Sequence, residues 1–552
     1  MTGRSQARKD RGTRRAAALA ASVLIAGALA APGHADVLTV DVDGGGQFTS
    51  ILPAMINADY GDTILVAPGT YTGLGNYDLD FQGKKLVIIS SHGPEETIID
   101  TGGESGFVLT DELNELIVIQ GFTITNAGEG PYATGPIYIS GGAASIRDCI
   151  FTGNHDEVVL QPGLPMAMRD CRFIRNFDRA LYARPDWLFG VAIVSCLFEE
   201  NRCDYAYGVG GGALRLSSDS SSGTVTVDSC AFTDNWSLRA GGAVSADGRN
   251  IVIRDCTFTG NRSDGDGGAM VVGGPYSAAV GGTEIMRCTF SGNSAGGHGG
   301  AISRTRMNPT VSECTFERNY APRGGAICCY LDDPEASSVP TILDCTFTEN
   351  SATMGAGVMC EESAPEIDSC LFDSNRAWLW GGGVCADGAY DQPPSITHCT
   401  FTRNRAYRGA ALLANGEAQL TTEYCTFYGC GGDDGSIVSL VDGFVDVGNS
   451  VISFAPSGVP IHLQFGTANV EHCVVFANAG GDSLPSGNPD NLFTDPLLCD
   501  VYNDDFTLCE NSPCLAANNA WGEQVGAHGV GCGSCGSAVR AASWGRIKAM
   551  YR

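Results

Sequence analysis

Lysine is nearly missing from this chain. Between Asp100 and Gly536 there is none at all, so a lysine base or Schiff-base nucleophile is excluded from that whole stretch. No segment of the repeated part is amphipathic over the length a helix needs. The one long apolar run, Ala16 to Ala31, is too short and too alanine-rich for a membrane span. A second Cys-x-x-Cys pair is also lacking. Cys532-x-x-Cys535 stands alone among 23 cysteines, so the spacing of a zinc site is not met. Positive charge is scarce in general, with a formal net charge of −29. Residues 1–35 hold six basic side chains and one acid, so the chain beyond them is five charges more acidic, at −34. Such a surface repels nucleic acid and anionic membranes and keeps a glycine-rich chain soluble. It meets an acidic polymer only through a local arginine patch or through calcium.

What is present is repetition. Cys256-Thr257-Phe258-Thr259-Gly260-Asn261, followed by Gly267-Gly268-Ala269, returns as Cys288 to Asn293 with Gly299-Gly300-Ala301. It returns again as Cys314 to Asn319 with Gly324-Gly325-Ala326. The cysteine recurs from Cys149 to Cys473, with Ser450 and the earlier Phe122 in the same slot. A step of about 22–34 residues lies in the solenoid range. Within a unit Ile251, Ile253, Cys256 and Phe258 alternate with polar residues, which predicts short strands with one buried face. One such unit cannot bury its apolar face alone, but stacked coils can. Equivalent residues then form columns. The Cys and Phe columns fill the interior, and the Asn column, Asn154 to Asn404 in ten units, follows each Phe by three. An Asn there can take a left-handed turn and bond its amide to the next coil. The glycine pair permits positive φ or close backbone approach at a corner.

The Phe-x-x-Asn and Gly-Gly-Ala-(Ile/Val/Leu) units resemble those of polymorphic outer-membrane proteins. More broadly they resemble right-handed parallel β-helix proteins of the pectin-lyase-like superfamily, over roughly residues 37–500. The resemblance implies an all-β, single-stranded right-handed parallel β-helix solenoid. It has about three short strands per coil and an N-terminal helical cap. It leaves function open, because that fold carries lyases, hydrolases, esterases, adhesins and tailspikes.

The expected organisation has four parts. Residues 1–35 are an export signal, with a basic start, an apolar middle and a Gly33-His34-Ala35 cleavage site. Residues 36–490 are the β-helix. It opens on the strand Val37 to Val42, a short helix around Thr49 to Ile56 with Thr49 or Ser50 as its cap, and a first coil at Gly61 to Tyr71. Residues 491–536 are a cysteine-rich last coil and cap, where five cysteines favour one or two disulfides. Residues 537–552 are a basic, aromatic tail, read as a frayed terminus or a sorting tag. The column cysteines read as buried free thiols, since in-register parallel side chains point the same way. Cys329 and Cys360 share an offset on neighbouring coils and could bridge; Cys328 and Cys385 share another, with Met359 between them.

Chemistry in this fold sits on the outside of adjacent coils. Aligning the residue before each glycine corner gives Ala240, Asp266, His298, Arg323, Met354, Trp380 and Arg408. This stripe is either a solvated turn of ordinary variety or a ligand site. As a site, Asp266 and His298 suit acid–base work, Arg323 suits a carboxylate, and Trp380 suits a sugar face. The candidate catalytic residues are therefore His298, Arg323 and Asp266, with Arg304 and Arg306 nearby as alternative arginine bases. The candidate glycan-binding residues are Trp378, Trp380, Arg405 and Arg408, where arginines lie among aromatics. Arg403 completes that basic cluster, which can instead pair with the acidic surface. Asp264 and Asp266 could offer oxygens to calcium, but they lack the rest of a recognised loop.

Two enzyme resemblances fail on residues. The opening coil is similar to that of pectin methylesterases, but their Gln-Asp-Thr-Leu and Asp-Phe-Ile-Phe-Gly segments are missing. Gly297-His298-Gly299 matches a polygalacturonase motif, yet the Asn-Thr-Asp segment is absent, Asp433-Asp434 comes after it, and Arg546-Ile547-Lys548 lies in the tail. The leading expectation is a secreted or surface-displayed binding and structural protein. Its partner is a polysaccharide or another cell-surface component, with no nucleic acid, no transmembrane span in the mature chain, and no cofactor beyond possible calcium. The alternatives are a polysaccharide lyase or glycoside hydrolase with a diverged exterior site, and a passive stalk.

Overall fold

The computed structural model describes residues 35–536. It leaves out 111–115, 186–188, 205–209, 219–222, 274–281, 306–307, 331–338, 389–392, 433–436 and 486–489. The expected export signal up to His34 and the basic tail therefore lie outside the described residues, as do Arg306 and Asp433-Asp434.

The chain winds into a right-handed parallel β-helix of about 17 turns. Three long parallel sheets run its length. The first has 17 strands, from Val37–Val40 to Thr467–Glu471; the second has 16, from Gly69–Thr72 to Val474–Phe476; the third has 15, from Leu79–Asp80 to Ile461–Leu463. A fourth sheet of seven short strands, Arg202–Cys203 to Arg376–Trp380, turns the corner between the second and third sheets. Three strands per coil thus hold for the early and late coils, and the middle coils have four.

The interior columns are as the repeat requires. Phe258, Phe290, Phe316 and Phe347 are in register on neighbouring strands, fully buried, with rings 4.7–4.9 Å apart and nearly parallel. The asparagines form a continuous ladder. Asn293 donates its backbone N–H and side-chain Nδ2 to Asn319 Oδ1, at 3.0 and 2.9 Å, and its Nδ2 also donates to the Phe258 carbonyl. The left-handed residue, however, is not the asparagine. It is the one before it, as in Arg318 (φ 54) and Glu349 (φ 54), and a second left-handed column precedes the cysteines, as in Asp255 and Glu313. The asparagine keeps an ordinary φ because its N–H and its amide must both point along the stack. The turn is therefore made one residue earlier.

The column cysteines are hydrogen-bond donors as well as apolar fillers. Cys314 Sγ donates to the Ser312 carbonyl at 3.2 Å and accepts from the Cys288 N–H at 3.4 Å. Ser450 makes the same pair of bonds, to Gly448 and from Cys425, which explains why serine can stand in that slot. Burial pushes the Cys473 thiol up to about 12, so the sulfur keeps the proton it donates. Cys329 and Cys360 do stand in register, but no disulfide joins them, because parallel in-register strands give neighbouring side chains the same direction. The disulfides are Cys499–Cys532 and Cys509–Cys535, both in the cap. Denatured, unreduced protein should therefore titrate 19 thiols, and peptide mapping should place every bridge after Cys499. Bridged Cys256, Cys288 and Cys314 peptides would contradict this arrangement.

Each end is closed. The helix α1, Ile51–Asn57, buries Ile51, Ala54 and Met55 over the first coil. Ser50 stands at its N-cap but makes no side-chain bond there; Asn76 Oδ1 accepts the Ile51 N–H instead. Lys84, one of the few lysines, donates to the Met55, Ile56 and Ala58 carbonyls at the other end of the helix. At the far end a small three-stranded sheet, Leu498–Asp500, Asp505–Cys509 and Val530–Cys532, carries the two disulfides. No helix among the described residues is long and apolar enough to cross a membrane.

Candidate functional site

The glycine corner is where the exterior chemistry gathers. Gly267 has φ +63, and a Cβ there would fall 2.2 Å from the Met270 carbonyl oxygen. A Cβ on Gly268 would fall 2.0 Å from the Gly300 oxygen of the next coil. The pair lets the chain fold back sharply, so the corner sheet and the third sheet meet at an angle. The column before the glycines is physical: Ala240 pairs with Asp266, His298 with Arg323, Arg323 with Met354, Met354 with Trp380, and Trp380 with Arg408.

On the other side of the corner, the outward column of the third sheet is apolar. Cys328, Met359, Cys385 and Leu413 are in register and buried, packed with Met354 and covered in part by Tyr330 and Trp380. A second, exterior apolar layer thus lies under the stripe. It lowers the local dielectric beneath the charged groups.

Those charged groups are connected. Asp266 Oδ1 accepts from His298 Nδ1–H and from the His298 backbone N–H, both at 2.9 Å, and Asp266 Oδ2 accepts from the Tyr330 hydroxyl at 3.1 Å. The His298 and Tyr330 rings lie 5.0 Å apart. Glu361 Oε1 pairs with Arg323 at 2.6 Å, and its Oε2 lies 3.9 Å from His298 Nε2. Burial alone works against the Asp266 charge, but His298 and Tyr330 outweigh it and hold the carboxyl below its ordinary value. The hydrogen bond to Asp266 raises His298 above its ordinary value against burial, with Glu361 adding to the effect and Arg323 opposing it. His298 thus lies between two carboxylates, Asp266 at Nδ1 and Glu361 near Nε2, and their negative charge favours its protonated form.

The sign of the pH dependence follows. The raised His298 contributes stability below the ordinary imidazole value, and this is lost as pH rises through its folded value. The lowered Asp266 contributes above the ordinary carboxyl value, and this is lost as pH falls through its folded value. The pair therefore stabilises the coil most between the ordinary carboxyl and ordinary imidazole values, and loses that stabilisation beyond the two folded values. We expect the His298 imidazole to titrate above its ordinary value by NMR and to fall in Asp266→Asn. Identical titration in the two proteins would break the assignment.

The structure brings Asp266, His298 and Arg323 together and adds Tyr330 and Glu361, which the sequence reading missed. Both stand six residues after the first corner glycine, Gly324 and Gly355, and aligning that offset would have found them. Arg304 is not in this cluster. It points into the coil between Val272 and Cys329, is 1% exposed, and donates to Ser363 Oγ at 2.9 Å. Its strand position, two residues after Ile302, faces inward by the same alternation that buries Ile302.

Further along the stripe the character turns aromatic and cationic. Trp378, Leu379 and Tyr407 are about half exposed, and Tyr320 meets Trp378 edge to face at 6.2 Å. Trp380 is partly buried on the Cys–Met layer. Arg408 donates to Gln464 and lies 5.8 Å over the Tyr407 ring. Arg405 pairs with Arg376 one coil back. Arg403, by contrast, is tied to Asp373 and to Asp504 of the cap, a structural role. The calcium candidates already have partners: Asp264 takes Arg262 and the Trp236 indole N–H, and Asp266 takes His298 and Tyr330. Among the described residues, the only metal-ligating group close enough to chelate is Cys499, Cys509 and Cys532, whose sulfurs are in disulfides.

These features define a right-handed parallel β-solenoid with its polar chemistry on the outer corner. The chain belongs to the right-handed β-helix family: the right handed beta helix region matches residues 95–237, 216–393 and 335–495. No curated protein matches the chain. Among solved structures it is similar to the catalytic unit of a thermostable GH87 α-1,3-glucanase from Streptomyces thermodiastaticus. That match has 14% identity, 85% of this chain and 71% of the other covered, and a TM-score of 0.36. A GH87 α-1,3-glucanase catalytic domain in complex with tetrasaccharides matches at 11% identity, with 71% and 68% covered and a TM-score of 0.33. A pectin methylesterase from carrot matches at 11%, with 61% and 84% covered and a TM-score of 0.23.

Proposed function

We propose that this protein is a secreted or surface-displayed β-helix that binds polysaccharide along its glycine corner. One observation carries the reading: Trp380 and Arg408 lie in register on adjacent coils, with Trp378, Tyr407 and Arg405 beside them. Rings for sugar faces and guanidinium groups for carboxylate or sulfate, repeated at about 4.8 Å per coil, suit an extended chain whose units are of similar length. Location outside the cell is supported by the basic-then-apolar leader and by the two cap disulfides.

A second reading is favoured by the Asp266–His298–Glu361 cluster, which would serve a lyase or hydrolase as a positioned acid–base group with Arg323 beside it. A panel of uronate, sulfated and neutral polysaccharides, assayed for both binding and unsaturated or reducing-end product, separates the two. Binding without turnover supports the binder. Turnover that stops in His298→Gln supports the enzyme.

A further inference from the structure

The corner is not the only ordered exterior column. The residue that follows each ladder asparagine is also stacked on its neighbours, because that asparagine's carbonyl accepts its counterpart's N–H one coil on: Arg202 N–H to Asn176, Trp236 to Asn201, Arg262 to Asn235. In the first five coils these residues are His155, Phe177, Arg202, Trp236 and Arg262. In the next five they are Ser294, Tyr320, Ser351, Arg376 and Arg405. None of the ten is an acid, in a chain of net charge −29, and eight are cationic, aromatic or histidine.

Neighbouring rings and cations of the row touch at two places. Phe177 stacks on His155 at 4.8 Å, and Arg202 lies 4.7 Å over the Trp236 ring. Phe177 and Tyr320 are each about two-fifths exposed. Cations of the early half pair with acids: His155 with Glu129, Arg202 with Asp204, and Arg262 with Asp264. The strand residues after Arg376 and Arg405, Ala377 to Trp380 and Ala406 to Arg408, contain no acid.

We infer that this row is a second binding track, taking one extended strand of carboxylated or sulfated polysaccharide across ten coils. It shares its ligand class with the corner reading but not its location, and only Arg405 belongs to both. Nine steps of about 4.8 Å give a track of roughly 43 Å. A glycan fits it better than a single-stranded nucleic acid. The glycan offers apolar ring faces to Phe177, Trp236 and Tyr320, with a unit length close to the coil spacing.

The test uses the full chain at low salt, with labelled oligogalacturonates and heparin fragments of increasing length. Affinity should climb until the ligand covers about nine or ten units. Arg202→Gln with Trp236→Ala lies coils away from the corner candidates. It should weaken the longest ligands by about tenfold, the scale of one charge-assisted hydrogen bond, and leave trimers unchanged. Arg202→Gln with Arg262→Gln repeats the test without touching a ring. Affinity that saturates at three or four units, long ligands indifferent to both variants, or tighter binding of oligo-dT would overturn the track. Row variants that weaken binding while Trp380→Ala and Arg408→Ala are silent would sink the corner reading and leave the track; the reverse would sink the track alone.

Discussion

Phe316→Ala should lower stability by roughly 3–5 kcal/mol, the range for emptying a fully buried phenyl site. Its ring is held at 4.9 Å by Phe290 on one side and 4.9 Å by Phe347 on the other, and all three are fully buried. Neighbouring rings fixed by their own stacks cannot slide in to fill the space, so the loss should lie toward the upper end. Glu317→Ala, one residue away, is the control. Glu317 is partly exposed and pairs with the exposed Arg318, and surface pairs of that kind contribute little. Thermal or denaturant unfolding compares the two, and an unshifted midpoint for Phe316→Ala would remove it from the interior.

The asparagine ladder should be nearly as sensitive. Asn319→Ala removes the acceptor of the Asn293 backbone N–H and the donor to the Phe290 carbonyl, both buried. At about 1–3 kcal/mol for each buried group left unsatisfied, the loss should be about 2–6 kcal/mol. Asn319→Asp should do no better, because a carboxylate keeps the acceptor but cannot donate and would be buried. Recovery of wild-type stability in the Asp variant would mean that the amide donor is dispensable.

The fold was legible because one unit recurs with its buried face intact. Phe258, Phe290 and Phe316 mark the interior, and Gly267-Gly268 marks the corner before any coordinates are seen. The capping of α1 was not legible, since Ser50 has the right chemistry but Asn76, a coil away, takes the bond. Of the candidate site, Asp266, His298 and Arg323 could be aligned because they share an offset from the glycines. Tyr330 and Glu361 were missed because they reach the same cluster from a different offset, across the corner. Arg304 was misplaced for a related reason. An arginine in a repeat is read as exterior by default, and only the inward alternation of its strand says otherwise. The row after the asparagines went unseen because its members vary in type and share only a position.

Binding to an acidic glycan through the exterior arginines is the central claim, and one titration tests it most directly. Wild-type protein and Arg405→Ala/Arg408→Ala are titrated with polygalacturonate and a sulfated glycan at low and high salt, with and without calcium. The account predicts that the wild type binds at low salt and weakens as salt is added. The double variant should lose about tenfold or more, the equivalent of at least one charge-assisted hydrogen bond. A wild-type protein that binds neither polymer at low salt, with or without calcium, would contradict it and leave a passive structural solenoid.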